Sequence, residues 1–365
     1  MWCATYVRIS HTIIRRLGNG AGVNPGRRIL TLAALAAAGC AVQPPMALTP
    51  SGTAALECRD VQRADARQPN SITWLLPDDP THRAKLDAVC RGVGPVAVTT
   101  PANAIPVGTV GSAAPTVDRL VVVSWNTYLG RGDLPELLSQ LTRGVFTSGR
   151  RVDTFVLLLQ EVYRSQIQAF ARDRNLHAVF APSRRRAGEA DDRGAAILST
   201  LPMTNLLLVE LPFEKQRRIA LGATVEHSET RRQLRLVNVH FDTNVGLLRG
   251  GPSTARRRQA RALIDALRHW PAPLVIAGDL NTWWGDDEPA VKALRREFPE
   301  AVPLAARETW RGPLGMGNKL DYVFAKGMPQ PVTVRRLAER FGSDHWPLLT
   351  VVPLEALSVS PDPTR

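Results

Sequence analysis

Residues 274–281 read Leu-Val-Ile-Ala-Gly-Asp-Leu-Asn, an apolar run that ends in two polar side chains, Asp279 and Asn281. The apolar part, Leu274 to Ala277, is typical of a buried strand. Alone, Gly-Asp-x-Asn most often forms a turn, because Asp and Asn bond to their own backbone and tolerate left-handed conformations. Its place directly after a strand also fits a functional site, since rigid scaffolds present functional groups where their elements end.

Five further segments combine an apolar strand with a polar residue at or near its end. These residues are Asn126 in Ser-Trp-Asn, Glu161 in Leu-Gln-Glu, His240 in Asn-Val-His, Asp321 in Lys-Leu-Asp-Tyr-Val-Phe, and Asp344 with His345 in Gly-Ser-Asp-His. Asp321 is the least easily explained as a turn, because a carboxylate between Leu320 and Tyr322 in an apolar strand needs a partner. Six such segments in one chain predict a shared site rather than six separate turns.

Patterns typical of strands outnumber helical patterns, and many follow one another directly. Strands are predicted at 120–123, 155–159, 176–181, 195–199, 205–211, 218–226, 234–240, 274–277, 320–324, 332–335 and 348–352. Helices are predicted at 82–89, at 133–146 and, as an amphipathic helix, at 255–269. Directly consecutive strands argue against a strict βαβ fold. They favour two mostly antiparallel sheets packed together and flanked by helices.

In this order, the segments SWN, LQE, NVH, GDLN, KLDYVF and GSDH resemble the motifs of the endonuclease/exonuclease/phosphatase superfamily, which includes deoxyribonuclease I. The resemblance covers about residues 117–353, and the run Arg193-Gly-Ala-Ala-Ile-Leu-Ser199 agrees with it. It implies an α+β fold, a four-layer α/β/β/α sandwich with the site where both sheets present their loops. It also implies a metal-dependent hydrolase that acts on phosphate ester bonds.

The resemblance implies a metal site formed by Glu161 as main ligand, Asn126 beside it, and Asp344 directly or through water. Mg²⁺ or Mn²⁺ is the expected ion, because hard cations prefer oxygen ligands. Some nucleases of the family carry a second acid two residues after the asparagine, where this chain has Tyr128. A one-metal site is therefore expected.

The remaining motif residues take catalytic roles by the same resemblance. Asp279 would orient or deprotonate the attacking water, and Asn281 would hold the phosphate or that water. His345 would hydrogen-bond a phosphoryl oxygen or the nucleophile, with Asp321 fixing its tautomer. His240 would donate to an oxygen on the other side of the phosphate.

The first 39 residues have the composition of a leader. Arg27 and Arg28 precede the apolar run 29–38, which is shorter than the roughly 20 residues that span a bilayer and suits a signal peptide. The run ends Ala-Ala-Ala-Gly-Cys, which resembles the lipobox of bacterial lipoproteins, although Ala37 replaces the usual leucine. We expect an exported bacterial protein, periplasmic or membrane-anchored through a lipid on Cys40; an ordinary signal peptide is the alternative.

The expected domain order follows from these features. A signal peptide over 1–39 precedes a tether and a small N-terminal lobe over 40–116, the catalytic domain over 117–353 and a tail over 354–365. Cys58 and Cys90 are expected to form a disulfide that pins the lobe, because two cysteines in an exported chain form a natural pair. Two buried free thiols are the alternative.

The chain is basic, with a formal net charge of +13. Five of its 46 basic residues lie in 1–39, which contains no acidic residue, so 41 basic and 33 acidic residues remain. This balance favours an anionic partner. The arginine clusters at 184–186, 217–218 and 256–258 fit either contacts to a phosphate backbone or a solvated basic face.

The sequence thus predicts a monomeric nuclease-like phosphodiesterase, with nucleic acid favoured over phospholipid as its substrate. A phospholipid or phosphoinositide phosphoesterase is the main alternative, because a lipid anchor would hold the site near headgroups. A surface lipoprotein that binds without turnover is a third. Trp283 and Trp284 bear on this choice, because they either pack beside the site, stack on a base or enter lipid headgroups.

Overall fold

The computed structural model describes residues 48–50, 61–63, 72–77, 79–101, 119–227, 231–243, 252–306, 308–353, 355 and 357–359. The strands are β1 (Leu48–Pro50), β2 (Val61–Arg63), β3 (Ile72–Pro77), β4 (Val96–Thr99), β5 (Arg119–Asn126), β6 (Phe155–Tyr163), β7 (His177–Arg184), β8 (Arg193–Ser199), β9 (Met203–Glu210), β10 (Ile219–His227), β11 (Arg232–His240), β12 (Leu274–Asp279), β13 (Trp310–Arg311), β14 (Gly317–Asn318), β15 (Asp321–Lys326), β16 (Val334–Arg336), β17 (Leu348–Pro353) and β18 (Ser358–Val359). The helices are α1 (Pro80–Cys90), α2 (Leu134–Thr142), α3 (Arg164–Asp173), α4 (Pro252–Leu267) and α5 (Pro289–Glu297), with short 3-10 helices at Gly285–Asp287 and Pro313–Gly315.

Two mixed sheets contain almost all of these strands. Sheet I has the order β1-β3-β9-β10-β11-β12-β15, with β18 also pairing with β11, and sheet II has the order β16-β17-β5-β6-β8-β7-β4-β2. Neighbouring strands are antiparallel except in the pairs β3–β9, β11–β12, β5–β6 and β2–β4. The prediction of two mostly antiparallel sheets is therefore confirmed.

Three apolar clusters separate the four layers. The central cluster joins sheet II to sheet I and contains Val122 and Leu158 from one sheet and Leu208, Leu221 and Leu236 from the other. A second cluster packs α2 and α3 on the outer face of sheet II, and a third packs α4 and α5 on the outer face of sheet I. Each fully buried aliphatic side chain contributes about 1.5–3 kcal/mol. The predicted α/β/β/α sandwich is confirmed.

The apolar run in β5 shows why the sequence forms this layer. Leu120 and Val122 face the central cluster, whereas Val121 and Val123 face the helices. The alternation has a period of two, as expected for a strand. Because both faces are covered, the run is continuously apolar instead of alternating with polar residues.

The described part of 40–116, where a tether and a small N-terminal lobe are expected, continues the two sheets. Strand β3 extends sheet I by pairing with β9, and β4 extends sheet II by pairing with β7. These apolar strands satisfy backbone donors and acceptors by joining existing sheet edges. Cys90 is buried at the end of α1. Its proposed pairing with Cys58 stays a prediction, because Cys58 lies outside the described residues, as do Cys40 and the predicted leader.

The predicted helix bounds also need correction. Helix α2 ends at Thr142 instead of residue 146, and Gly144 follows with a φ of +84°, a conformation that favours glycine after a helix. Helices α3 and α5 are not predicted from the sequence. In the expected tail, Ser358 and Val359 form strand β18. Among the described residues, no helix is long and apolar enough to cross a bilayer.

Candidate active site

Neighbouring strands bring the polar motif residues to one end of the two sheets. In sheet I, His240 on β11 stands opposite Asp279 on β12, which in turn stands opposite Asp321 on β15. In sheet II, the parallel strands β5 and β6 bring Asn126 and Glu161 to the same edge. The backbone register alone therefore assembles residues that are far apart in the sequence.

The Asp279 carboxylate is the meeting point of these residues and is almost fully buried. Its Oδ2 accepts a hydrogen bond from Nδ2 of Asn126 at 3.0 Å. The same oxygen lies 3.5 Å from Nε2 of His240 and 3.9 Å from Nε2 of His345. Its Oδ1 accepts from the backbone N of Asn281 at 2.7 Å. The contact with Asn126 joins the two sheets at the site.

Asn281 is held by contacts that define its orientation. Its backbone has a φ of +49°, in the left-handed region that asparagine tolerates. Its side-chain Nδ2 donates to the backbone carbonyl of Phe241 at 3.0 Å. The backbone N–H of Asn281 therefore orients Asp279, while its side-chain amide is already partly used within the protein.

His345 and Asp321 form a buried pair, with Nδ1 of the ring 2.9 Å from Oδ2 of the carboxylate. The partner that the sequence requires for Asp321 is therefore His345. Burial alone would lower the pKa of His345, but the charge and hydrogen bond of Asp321 raise that pKa to about 9. At neutral pH the imidazole carries a positive charge, and its Nε2 faces Asp279.

The two histidines differ in charge. Burial lowers the pKa of His240 well below its ordinary value, and the charges of Arg218 and His345 act in the same direction. His240 is therefore neutral at pH 7. Burial also raises the pKa of Asp279, although the positive charge of His345 opposes that rise. A raised pKa makes a carboxylate a stronger base.

Glu161 sits at an irregularity of strand β6. The register with β8 shifts between Gln160 and Val162, and Glu161 has a φ of +59°, which is uncommon for this residue type. Oε2 of Glu161 accepts from the backbone N of Leu129 at 3.2 Å and lies 3.8 Å from Arg193. Bulges and strained backbone concentrate at functional sites, where they redirect a side chain.

Asp344 has one satisfied and one free oxygen. Its Oδ2 accepts from Nε1 of Trp310 at 2.8 Å, whereas its buried Oδ1 has no hydrogen-bond partner and lies 3.9 Å from Nε2 of His345. An unsatisfied buried carboxylate oxygen is costly unless a cation or proton donor occupies the space beside it. Oδ1 of Asp344, the carboxylate of Glu161 and the amide oxygen of Asn126 are together the kind of hard oxygen ligands that Mg²⁺ or Mn²⁺ requires. The chemistry of these donor atoms therefore fits such an ion, and their roles as metal ligands stay a prediction.

A second set of ligand atoms lies close by. Asp279, Asp321 and His345 each offer one atom, and all three atoms lie within 4.8 Å of one another, so this group could also hold a metal ion. A protonated imidazole opposes that arrangement, because a metal binds the neutral ring. The short contact between His345 and Asp321 indicates instead that Asp321 orients the imidazole of His345.

Several residues that support the site are not predicted from the sequence. Thr309 Oγ1 accepts from the backbone N of Asp321 at 2.9 Å. Ser343 Oγ donates to the Asn126 carbonyl at 2.7 Å and accepts from the N of His345 at 3.0 Å. For Trp310 the sequence gives only a weak indication, because a partly buried indole N–H needs a hydrogen-bond acceptor. The residues around Trp310 in the sequence do not indicate which group that acceptor is.

The rim of the site carries exposed apolar side chains. Trp283 and Trp284 are 56% and 68% exposed, so their side chains are not buried in the protein beside the site. A hydrogen bond from Asn318 to the carbonyl of Thr282 at 3.0 Å connects their loop to residues 312–318. That second loop exposes Leu314 and Met316.

Residues 123–345 match the sequence profile of the Endonuclease/Exonuclease/phosphatase family. The match spans more than half of the chain and contains all six motif segments. The chain belongs to this family, whose members are hydrolases of phosphate esters. The predicted resemblance is confirmed.

Two UPF0294 proteins of Vibrio vulnificus, from strains YJ016 and CMCP6, are each 33% identical to the chain over 95 residues. These matches cover 26% of this chain and 32% of each relative, so the chain spans about a third of the length of these curated relatives.

Solved structures with a similar fold include an endonuclease/exonuclease/phosphatase from Bacteroides vulgatus, the human Nocturnin catalytic domain and sphingomyelinase C from Streptomyces griseocarneus. The first is 17% identical with a TM-score of 0.47 and covers 66% of this chain and 99% of its own. The second is 18% identical with a TM-score of 0.45 and covers 64% and 94%. The third is 20% identical with a TM-score of 0.44 and covers 64% and 99%.

Proposed function

We propose that this chain is a divalent-metal-dependent phosphodiesterase of the nuclease type, in which Asp279 activates the attacking water. The observation that supports the proposal is the convergence of Asn126, His240 and His345 on Oδ2 of one buried carboxylate, at 3.0, 3.5 and 3.9 Å. This arrangement orients a base whose pKa is raised by burial. The imidazoles of His240 and His345 lie beside this base and, in the proposed mechanism, would contact the bound phosphate.

Glu161, Asn126 and Asp344 would hold one Mg²⁺ or Mn²⁺ ion. When bound, such an ion would supply positive charge to the non-bridging oxygens of the phosphate. Two of these side chains are held by hydrogen bonds, Asn126 by its bond to Asp279 and Asp344 by its bond from Trp310. Such contacts to neighbouring side chains orient metal ligands and tune their affinity.

The charge of each histidine defines what it can do. His345 is positively charged and fixed through Asp321, so its Nε2–H can donate to a phosphoryl oxygen as negative charge develops. His240 is neutral, and its Nε2 has no hydrogen-bond partner within the described part of the chain. It can therefore receive or give one hydrogen bond at the opposite side of the phosphate. Asp279 accepts the proton of the attacking water.

A panel of substrates tests the proposal. The full chain would be incubated with plasmid DNA, single-stranded RNA and phospholipid vesicles, each with Mg²⁺, with Mn²⁺ and with EDTA. We expect metal-dependent cleavage of a nucleic acid, with a steep loss of activity as salt rises, because phosphate contacts release counterions. Release of a headgroup alone, with no cleavage of DNA or RNA, would contradict the nuclease type.

The exposed rim favours a second candidate, a phosphoesterase that acts at a lipid surface. Trp283, Trp284, Leu314 and Met316 are exposed on two connected loops, and tryptophan partitions to membrane interfaces. Export with a lipid on Cys40 would bring this rim near headgroups. Activity on vesicles that falls when Trp283 and Trp284 are both replaced by Ala, with activity on soluble diesters retained, would support this candidate.

A further inference from the structure

Six basic side chains line a cavity of about 280 Å³ that opens beside Glu161 and His240. We name this cavity the basic pocket; its basic residues are Arg184, Arg186, Arg193, Lys215, Arg217 and Arg218. Among its described lining residues, only Glu161 is acidic. The two arginine clusters at 184–186 and 217–218 therefore contribute to one concave surface instead of a diffuse solvated face.

Several arginines in this region are already neutralised by internal partners. Arg217 is fully buried and forms an ion pair and several hydrogen bonds with Glu210. Outside the pocket, Arg258 pairs with Glu214 and Arg256 with Glu288. The third cluster, at 256–258, thus contributes to internal packing through two of its members.

Of the other basic residues of the pocket, Arg186 pairs with Glu189 and Arg193 with Glu161, both at long distance, whereas Arg184, Lys215 and Arg218 make no ion pair with a described residue. Arg218 is buried, its Nε has no hydrogen-bond partner, and it makes no salt bridge with a described residue. The carboxylates of Asp242, Glu161 and Asp279 act on its charge, but from beyond ion-pair distance. Nε of Arg184 also lacks a partner, and its Nη1 makes only a long contact of 3.4 Å with Gln216. Lys215 is exposed and makes no ion pair within the described ranges. A buried, unpaired guanidinium is costly and needs an anion.

We propose that the basic pocket binds a second phosphate group of the substrate, next to the phosphate that is hydrolysed. Guanidinium groups recognise phosphate by charge-assisted hydrogen bonds. The volume is close to the lower end of small-ligand pockets, about 300 Å³, which suits one charged group instead of a whole headgroup. The inference rests on the proposed function, because Glu161 and His240 would then lie between the phosphate that is hydrolysed and the phosphate in the basic pocket.

This pocket would select among phosphate esters. A neighbouring phosphate occurs in a nucleic-acid backbone and in a phosphoinositide headgroup, and both would be favoured. A headgroup with a quaternary amine next to its phosphate would be disfavoured, because that cation would meet Arg184, Lys215 and Arg218.

The test uses two chromogenic diesters that differ in one group: thymidine 5′-(p-nitrophenyl phosphate), with and without a 3′-phosphate. In the wild-type protein we expect the 3′-phosphate to raise kcat/KM by about 10- to 100-fold, equivalent to about 1.4–2.8 kcal/mol. The double variant Arg184→Gln/Lys215→Gln should reduce this advantage to below about threefold. Arg143→Gln/Arg268→Gln removes the same charge outside the pocket and should keep the full advantage. Vesicles of phosphatidylinositol, with and without a 4-phosphate, distinguish a lipid source.

Binding provides a readout that does not depend on turnover. Thymidine 3′,5′-bisphosphate and thymidine 5′-monophosphate would be titrated calorimetrically into each protein in EDTA. Tighter binding of the bisphosphate that is lost only in Arg184→Gln/Lys215→Gln supports the basic pocket, even if neither diester is hydrolysed and the proposed function fails. Hydrolysis of both diesters with no preference in the wild type, or with the preference retained in this variant, overturns the inference.

Discussion

Nδ1 of His345 lies 2.9 Å from Oδ2 of Asp321, and both side chains are more than nine-tenths buried. The two residues belong to different motif segments, Gly-Ser-Asp-His and Lys-Leu-Asp-Tyr-Val-Phe. Strand β15 fixes the carboxylate, while Trp125 fixes the histidine backbone by donating from Nε1 to its carbonyl at 3.2 Å. The pair therefore turns an imidazole into a positively charged group of fixed orientation beside Asp279.

Replacing Asp321 with Asn should uncouple this pair. We expect kcat to fall by about 10²–10⁴-fold, as when an orienting carboxylate is removed from a catalytic histidine, with KM little changed. The pKa of His345 should fall from about 9, because its burial is no longer opposed by a carboxylate. Nuclear magnetic resonance titration of the ring measures that change. An unchanged His345 pKa would contradict the account, and Asp265→Asn, on the solvent-facing side of helix α4, is the control.

Trp310 should influence metal affinity without being a ligand. Its Nε1 donates to Oδ2 of Asp344 at 2.8 Å. Trp310→Phe removes that donor, and we expect Mn²⁺ to bind about 10–100-fold more weakly, the usual effect of losing a contact that orients a ligand. Electron paramagnetic resonance counts free Mn²⁺ directly. Trp283→Phe, on an exposed tryptophan, should leave the affinity unchanged; equal effects of both substitutions would argue against Asp344 as a ligand.

The sequence predicts the core of the fold and most of the motif positions for one physical reason. Buried strands such as β5 and β12 are short, continuously apolar and rich in β-branched residues, so their local pattern reveals them. Polar residues at the ends of these strands, such as Asn126 and Asp279, indicate the site because their position follows from the strand ends alone. The order of the motif segments along the chain indicates the family to which it belongs.

Features that depend on tertiary contacts escape this reasoning. Helix α3 is mostly polar and buries only Ile167, Phe170 and Ala171, so its pattern is weak until sheet II covers it. The sheet edges that strands β3 and β4 join are not predicted either, because nothing in their local sequence indicates them. The contact from Trp310 on β13 to Asp344 joins residues that are 34 positions apart in the sequence.

The buried pair Arg217–Glu210 should be important for stability. Both side chains are almost fully inaccessible, and Glu210 also accepts from Nε1 of Trp74 on β3 at 3.2 Å. Glu210→Ala leaves an unpaired buried guanidinium, and we expect it to lower the free energy of unfolding by about 3–5 kcal/mol. The double variant Glu210→Met/Arg217→Leu should be less destabilised. Urea unfolding of both variants checks this order, and the reverse order would contradict it.

His177 should make stability depend on pH. Burial lowers the pKa of this histidine to about 4 in the folded protein, from an ordinary value of 6.5. The unfolded chain therefore binds a proton that the folded chain excludes, and stability contributed by neutral His177 is lost as pH falls from 6.5 to about 4. Relative to wild type, His177→Gln should show a flatter decline of Tm over this window. His269→Gln, on an exposed residue, is the control and should follow the wild type; parallel curves for all three proteins would refute the assignment.

The most direct test of the central claim is hydrolysis of bis(p-nitrophenyl) phosphate with Mg²⁺ by the wild-type chain and by Asp279→Asn. Asparagine keeps the shape of the side chain but cannot accept the proton of the attacking water. We predict metal-dependent release of p-nitrophenol by the wild type and a loss of at least about 100-fold in kcat in the variant, with Tm and Mn²⁺ affinity retained. A wild type without metal-dependent hydrolysis, or a variant as active as the wild type, would contradict the role of Asp279 as the base.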